Sequence, residues 1–154
     1  MPDLIIIAGP NGAGKTSFAR EYLSKDGLRF TFVNADEIAS TLPLQDGIQS
    51  RSDLRAGRVM LDRIDYLVER GADLAIESTL ATRTYARKIL AWRKQGYNVS
   101  LIYLRLGSIE ESLDRVRRRV EAGGHDIPSE TIARRFSKSA DYLEKVYKPI
   151  VNQW

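Results

Sequence analysis

The segment 9–16 constrains the fold of this chain most, because it places a glycine-rich turn between a strand pattern and a helix pattern. It reads Gly-Pro-Asn-Gly-Ala-Gly-Lys-Thr and matches the spacing G-x-x-x-x-G-K-[ST] at every position. The preceding residues 4–8 are apolar on both faces of a strand, which predicts a central strand of a parallel sheet covered by helices on both sides. Apolar residues after the segment recur at helical spacing and predict a helix from about Lys15. A chance glycine-rich turn would need neither neighbour, so the context favours a functional loop.

The chemistry that this segment predicts is phosphate binding by a Walker A loop. Its glycines allow main-chain N–H groups to turn inward around a phosphate, and the helix that follows adds the positive end of its dipole. Lys15 is predicted to reach the β- and γ-phosphates, and the Thr16 hydroxyl to join a Mg²⁺ shell. The donor is ATP or GTP. The residues predicted to hold it are Gly9, Pro10, Asn11, Gly12, Ala13, Gly14, Lys15, Thr16 and Ser17.

The rest of the chain alternates strand and helix patterns, which is typical of an α/β fold with a parallel sheet. Three further strands are expected over 30–33, 74–76 and 99–104, with helices between them and two more helices after the last strand. A polar, turn-rich loop is expected over 43–51, at the edge of a substrate pocket, and Ser129 is expected to cap the last helix. Residues 1–154 are therefore interpreted as a single three-layer domain, a kinase-like P-loop NTPase with a helical lid at about 109–136.

Composition excludes several classes of protein. The chain has no cysteine, which rules out disulfides and thiolate metal sites, and its single histidine, His125, disfavours a zinc site. The formal charge of +4, from 24 basic and 20 acidic residues, is modest and suits a nucleotide site as well as a nucleic acid. No stretch approaches the ~20 apolar residues that cross a membrane, and the start of the chain lacks a basic leader, so we expect a cytoplasmic protein.

Two acidic residues fall where parallel strands end and where ligands of such sheets bind. Asp36 follows the second strand and Glu77 ends the third. Either carboxylate could orient Mg²⁺ through water or accept the proton of an attacking hydroxyl. Asp36 has a structural alternative as the cap of a helix that begins near residue 37, whereas an uncompensated Glu at the end of an apolar strand is rare. Thr79 and Arg83 follow Glu77 and could bind an acceptor, or could be ordinary loop residues.

The segment 109–122 predicts a helix with several arginines around an apolar stripe. Arg115 and Arg119 share one flank of the stripe, Arg117 takes the other, and Arg118 lies opposite, on a solvated face. Arg115 and Arg119 could close over a triphosphate as part of a lid, with Arg135 of the returning helix joining the nucleotide site. The alternative is a surface hairpin whose arginines pair with nearby carboxylates: Glu110, Glu111, Asp114 and Glu121. The absence of aromatic residues from this segment disfavours a nucleic acid partner.

Taken together, these motifs resemble the zeta-toxin-like group of P-loop kinases, and in particular its compact branch. The resemblance extends from about residue 4 to 136. It is carried by the following sequences: Gly-Pro-Asn-Gly-Ala-Gly-Lys-Thr at 9–16, Val-Asn-Ala-Asp-Glu-Ile-Ala at 33–39, Glu-Ser-Thr-Leu-Ala at 77–81, Arg-Thr-Tyr at 83–85, Arg-Val at 115–116 and 119–120, and Gly-Gly-His-Asp-Ile-Pro at 123–128.

The resemblance implies a phosphotransferase in which Asp36 activates the acceptor hydroxyl and Glu77 and Thr79 belong to an acceptor-binding Glu-x-Thr element. Well-studied zeta toxins phosphorylate UDP-N-acetylglucosamine and are held inactive by a small antitoxin. This chain departs from them at Ala81, where they carry an arginine, while Arg83 stands two positions later. A fifth strand at the end of the chain is also expected from the resemblance, and exposed apolar surface near Ile7 and Leu101 would reveal its loss.

The leading hypothesis is an ATP- or GTP-dependent kinase for a small hydroxyl-bearing acceptor. In it, Asp36 is the base, Lys15 and Thr16 with Mg²⁺ hold the phosphates, and Arg115 and Arg119 act from the lid. The acceptor could instead be a polynucleotide 5′-hydroxyl or a nucleoside. A third hypothesis is a regulatory nucleotide-binding module that transfers no phosphate.

Overall fold

The computed structural model describes residues 1–25, 29–41 and 49–154. Strands and helices alternate along the described chain as the sequence predicts. Their order is β1 (Asp3–Ala8), α1 (Lys15–Ser24), β2 (Thr31–Val33), α2 (Ala35–Thr41), α3 (Gln49–Glu69), β3 (Leu74–Ser78), α4 (Thr84–Lys94), β4 (Asn98–Tyr103), α5 (Ile109–Glu121) and α6 (Ser129–Tyr142), which continues into a π-helical turn (Leu143–Tyr147).

The sheet explains how residues distant in sequence meet at one edge. The described strands form a parallel four-stranded sheet in the order β2-β3-β1-β4. The end of β3 lies directly beside the end of β1, with Glu77 opposite Ile7 and Ser78 opposite Ala8. Because all four strands run in the same direction, their carboxyl ends share one edge, and the loop that follows β1 emerges next to Glu77.

Helices cover both faces of this sheet, which confirms the predicted three-layer arrangement. On one face Leu4 and Ile6 pack in a large core with side chains of α3 and α4. On the other face Ile5 and Ile7 pack with Ala19 and other residues of α1 and the following loop. The unbroken apolar run of β1 follows from this arrangement, because alternate side chains enter two different cores.

The two helices predicted as a lid have a small apolar core of their own. Val116 of α5 packs with Ile127 and with Ile132 of α6. The predicted cap of α6 was wrong by one residue. Pro128 occupies the cap position in an extended conformation (φ −55°, ψ 137°), and Ser129 is already the first helical residue and makes no side-chain cap hydrogen bond.

The loop predicted over 43–51 is corrected at one end. Residues 43–48 lie outside the described residues, but α3 already begins at Gln49 and contains the last three residues of that loop. The turn-forming Pro43 and Gly47 precede this point, whereas Gln49 and Arg51 are good helix formers, so the helix extends to them.

The expected fifth strand is represented in the described residues by a single parallel bridge between Ser100 and Gln153. The backbone N–H of Leu101 donates to the Gln153 carbonyl at 2.9 Å, on the outer edge of β4. Ile7 and Leu101 are 0% and 3% exposed, so neither side chain forms the exposed apolar surface that would indicate loss of that strand. Within the described part of the chain, no helix is long and apolar enough to cross a membrane.

Candidate phosphate-binding site

The loop after β1 is held in its curved conformation by glycine and by close contacts with its neighbours. Gly9 has φ 150°, and a Cβ on it would lie 2.4 Å from the Leu104 carbonyl oxygen, which follows β4. Gly12 has φ 80°, and a Cβ there would lie 2.9 Å from the Cβ of Arg115 on α5. At both positions a side chain would meet both backbone strain and a neighbouring atom, so the sequence pattern of glycines has a steric cause.

Lys15 is the first residue of α1 and is buried beneath this loop. Its Nζ donates hydrogen bonds of 3.0 Å to the carbonyl oxygens of Gly9 and Pro10. Burial lowers the pKa of Lys15 from 10.5 to about 8, against the opposing effect of the carboxylates of Glu77 and Asp36. Arg119 and Arg135 lower it further, which places both guanidinium groups within electrostatic reach of the ammonium group.

Thr16, Glu77 and Asn34 form a hydrogen-bonded cluster beside Lys15. The Thr16 hydroxyl donates to Glu77 Oε2 at 2.8 Å, and the Asn34 amide donates to the same oxygen at 2.8 Å. Burial raises the pKa of Glu77, although the hydrogen bond from Thr16 and the charge of Lys15 oppose that shift. The half-buried Glu77 carboxylate is therefore surrounded by two hydrogen-bond donors and a cation. Such partners are needed because burying an unpaired charge at the end of an apolar strand would be costly.

Asp36 lies in the first turn of α2, and its own role as a helix cap is excluded. The cap is Asn34, whose Oδ1 accepts a hydrogen bond of 2.8 Å from the Asp36 backbone N–H. Asp36 is exposed, and its charge raises the pKa values of both Lys15 and Glu77. Its carboxylate therefore belongs electrostatically to the same site as the phosphate loop.

Helix α5 is docked on the crest of the phosphate loop. Ser112 is fully buried, and its hydroxyl donates to the backbone carbonyl oxygen of Asn11 at 2.5 Å. Asn11 is 8% exposed, and its Oδ1 has no hydrogen-bond partner in the described chain. The contact fixes the arginine-bearing helix at one end directly against the loop that binds phosphate.

A cleft of about 850 Å³ lies beside the contact between the phosphate loop and α5 and is lined by residues of both. Lys15, Thr16 and Glu77 line one side of it. The α5 residues that line the other side are Glu111, Asp114, Arg115, Arg118 and Arg119. The cleft is thus bounded by cations on both sides, with carboxylates interspersed.

The positions of the arginines on α5 only partly agree with the prediction that one group faces the nucleotide and another faces solvent. Arg118 is 75% exposed, as expected for a solvated face, yet it also borders the cleft, while Arg117 does not. Arg115 pairs with Glu111 at 3.4 Å, and both Arg117 and Arg118 pair with Asp114. These pairs agree in part with the alternative of a surface hairpin whose arginines pair with nearby carboxylates. Exposed ion pairs within one helix contribute only about 0.3–0.5 kcal/mol to stability, however, so the arginines can exchange them for a phosphate.

Arg119 differs from its neighbours, because the described residues offer its guanidinium no ion pair. The Gly123 and Gly124 N–H groups cap the end of α5 by donating to the carbonyls of Val120 and Arg119 at 2.9 and 2.7 Å. A Cβ on Gly124 would lie 2.6 Å from Arg119 Cγ, so the turn packs against the stem of this side chain. The Gly-Gly pair therefore helps to orient Arg119.

Several predicted site residues are not part of the cleft lining: Gly9, Pro10, Asn11, Ala13, Asp36, Thr79, Arg83 and Arg135. Thr79 is half-buried beyond the end of β3, and Arg83 lies over the ring of Tyr142 at 5.5 Å from its centroid. Arg135 acts on Lys15 through its charge. Leu80 stands between Thr79 and Arg83 with φ 54° and is buried in the large core.

Sequence reasoning assigned no role to Asn34 or Ser112, although both are almost fully buried polar residues at the site. A signal existed for each. Asn34 directly follows a strand and precedes Asp36 by two residues, which is the spacing of a side-chain helix cap. Ser112 lies at the edge of the apolar stripe of α5, where a polar residue must find a partner.

The contact between Gly12 and α5 leads to a stability prediction. Gly12→Ala should destabilise the protein by about 3 kcal/mol, because left-handed strain and overpacking against Arg115 add together. Gly71→Ala is the matched control, since Gly71 also has a left-handed φ of 64° but no atom within 4 Å of its Cβ position, and it should cost about 1 kcal/mol. Urea unfolding of both variants measures the difference, and equal losses would contradict the docking of α5 on the loop.

The fold and this site define a nucleotide-binding protein with a P-loop kinase-like fold. The chain belongs to the AAA domain family, whose model matches residues 4–144. It is also similar to an uncharacterised protein of Haemophilus influenzae, with 25% identity over 132 residues that make up 86% of this chain and 91% of that protein.

Solved structures support the same fold. The chain matches the Pnkp1/Rnl/Hen1 RNA repair complex with a TM-score of 0.72 and 21% identity, covering 94% of this chain and 46%, or about half, of the matched one. It matches the PezAT toxin–antitoxin system of Streptococcus pneumoniae with a TM-score of 0.62 and 16% identity, covering 97% and 87%. It matches shikimate kinase of Acinetobacter baumannii with a TM-score of 0.59 and 21% identity, covering 99% and 82%. At these identities the likeness concerns the fold alone.

Proposed function

We propose that this protein is a phosphotransferase that moves the γ-phosphoryl group of ATP or GTP to a hydroxyl group of a small acceptor. One observation carries the proposal: a buried lysine, a hydroxyl–carboxylate pair and an exposed aspartate converge at the edge of the sheet, opposite an arginine-bearing helix. Binding of a Mg²⁺–nucleotide complex alone would account for Glu77, but not for the second carboxylate, Asp36, or for the arginines of α5.

In the proposed reaction the Asp36 carboxylate accepts the proton of the acceptor hydroxyl. At the same time the oxygen of that hydroxyl attacks the γ-phosphorus. The bond between the γ-phosphorus and the bridging oxygen breaks, and its electron pair leaves with the β-phosphate. Lys15 and Arg119 supply positive charge from the two sides of the cleft, where negative charge spreads over the transferring group. Arg115 adds a second guanidinium group from α5 once its pairing with Glu111 is exchanged for phosphate.

The donor set suits Mg²⁺, which favours oxygen ligands. The Thr16 hydroxyl and the Glu77 carboxylate would hold the ion, directly or, for Glu77 and Asp36, through water. When bound, Mg²⁺ neutralises phosphate charge. Burial raises the pKa of Glu77, which means that its ionised form is disfavoured in the absence of a cation. A Mg²⁺ ion at this position would offset that cost with its own charge.

The acceptor is proposed to be a small hydroxyl compound, and a sugar nucleotide such as UDP-N-acetylglucosamine is one candidate. Thr79 and Arg83, beyond the end of β3, are the proposed acceptor contacts. The likeness to shikimate kinase, a structure solved with shikimate bound, supports a small acceptor. The likeness to the RNA repair complex supports the second candidate, a polynucleotide or nucleoside hydroxyl.

A protein partner is part of the proposal, since one similar structure belongs to a toxin–antitoxin system. A partner of that kind would cover the cleft and compete with ATP. The test is to isolate a protein that co-purifies with this chain and to measure its competition with a fluorescent ATP analogue. Simultaneous binding of both would overturn the proposal.

The proposed function is tested by supplying γ-labelled ATP, Mg²⁺ and a panel of sugar nucleotides, nucleosides, small hydroxy acids and 5′-hydroxyl oligonucleotides. We expect one small-molecule class to become labelled. Labelling of the oligonucleotides alone would select the second candidate. Binding of a fluorescent ATP analogue without labelled product from any class would contradict phosphotransfer and favour a regulatory nucleotide-binding module.

A further inference from the structure

Asn34 is a buried residue at this site whose side-chain amide is hydrogen-bonded through both its oxygen and its nitrogen. It is 4% exposed, and its Oδ1 accepts from the Asp36 N–H at 2.8 Å. Its Nδ2 donates to Glu77 Oε2 at 2.8 Å and lies 3.3 Å from Thr16 Oγ1. One amide thus connects α2, β3 and α1, three elements that are distant in sequence.

A helix cap alone would not require asparagine. Ser, Thr and Asp serve equally well at that position, because only an acceptor for a backbone N–H is needed. Aspartate in its ionised form has no donor for Glu77, and serine is too short to reach from the cap to the carboxylate. Asparagine alone of these supplies the acceptor for the helix and a donor for the carboxylate at once.

We propose that Asn34 is a positioning residue that holds the base Asp36 and the Thr16–Glu77 pair as one unit. The inference rests on the proposed function, because it assigns a role within that reaction. The amide acts on two sides. It orients the first turn of α2, which carries Asp36, and it fixes the Glu77 oxygen that the Thr16 hydroxyl also contacts.

The first test is Asn34→Ser, which keeps a cap acceptor and removes the bridge to Glu77. We expect kcat to fall at least about tenfold, the scale of one lost charge-assisted hydrogen bond, while the nucleotide KM measured with Mg²⁺ rises only several-fold.

Asn34→Asp is the second variant, and it guards against a folding defect in the first. It is isosteric and retains the cap, but it replaces the donor to Glu77 by a second carboxylate, so kcat should fall further than in Asn34→Ser. Asn98→Asp is the matched control, because the Asn98 amide donates to Asp3 Oδ1 at 2.9 Å, at the opposite edge of the sheet. It creates a like-charge contact away from the site and should leave kcat unchanged.

Wild-type kcat in both Asn34 variants would show that Asn34 serves only as a helix cap and would overturn the inference. Failure of the proposed function is distinguishable, because Mg²⁺-dependent tightening of ATP binding needs no acceptor. If the wild type transfers phosphate to nothing, Asn34→Ser should still reduce that tightening several-fold relative to Asn98→Ser. An equal tightening in the two variants would contradict the positioning role on its own.

Discussion

Replacing Lys15 with methionine is expected to remove phosphoryl transfer and, at the same time, to stabilise the nucleotide-free protein. The loss of transfer should be about 10²–10³-fold in kcat, the usual cost of removing one preorganised group that stabilises transition-state charge. Nucleotide binding should weaken as well, because the Lys15 side chain carries the positive charge nearest to the loop. Labelled-ATP transfer and titration with a fluorescent nucleotide measure the two effects.

The stabilisation follows from the burial of the ammonium group. A pKa lowered from 10.5 to about 8 corresponds to about 3 kcal/mol of unfavourable burial of the charged form. Methionine removes that cost but leaves the Gly9 and Pro10 carbonyls without their donor, at about 1 kcal/mol each. The expected net gain in the free energy of unfolding at pH 7 is therefore about 1 kcal/mol, measured by urea unfolding.

The pH dependence of the stability difference between Lys15→Met and the wild type tests whether burial of the ammonium group causes it. Lys15 is charged in both states below pH 8, so the cost is fully present there. Between pH 8 and 10.5 the unfolded chain binds more protons than the folded one, and wild-type stability gains relative to the variant as the pH rises. The advantage of Lys15→Met should therefore shrink from pH 8 to pH 10. An advantage that is constant over this range, or a variant less stable than the wild type at pH 7, would contradict a buried ammonium group.

Asp36→Asn is expected to lower kcat by about 10²–10⁴-fold while nucleotide affinity stays near that of the wild type. The substitution removes a proton acceptor and preserves the size of the side chain. The backbone N–H that Asn34 accepts from is unaffected, so α2 keeps its cap. A second signature is the pKa of Lys15, which should fall further because Asp36 currently raises it. The alkaline limb of nucleotide binding should accordingly move to lower pH.

Glu37→Gln is the matched control for Asp36. Glu37 is the next residue of α2, is exposed, and pairs with Arg20 at 2.9 Å on the surface. Its loss should change kcat less than about twofold, in keeping with the small contribution of exposed ion pairs. Transfer that persists in Asp36→Asn would assign the base elsewhere, and Glu77 would be the next carboxylate to test.

Local patterns were sufficient to predict most of the elements. The apolar run of β1, the glycine spacing of the phosphate loop and the helical periodicity of α5 each depend on neighbouring residues, and all three were confirmed in the described chain. The boundaries of the elements were predicted less accurately. The helix α3 begins at Gln49, inside the segment predicted as a loop, because polar residues near a helix end do not show by their pattern where the helix starts.

The sequence by itself determined that a glycine-rich turn over residues 9–16 joins a buried strand to a helix, and that Asp36 and Glu77 lie at strand ends. Only the tertiary structure decided which side chains touch. The order β2-β3-β1-β4 brings Asn34, Glu77 and Thr16 together, and the docking of α5 joins Ser112 to Asn11 across 101 residues. The physical reason is that periodicity reports which face of an element is apolar. Hydrogen bonds between elements depend on strand order and helix docking, which the packing of the whole chain sets.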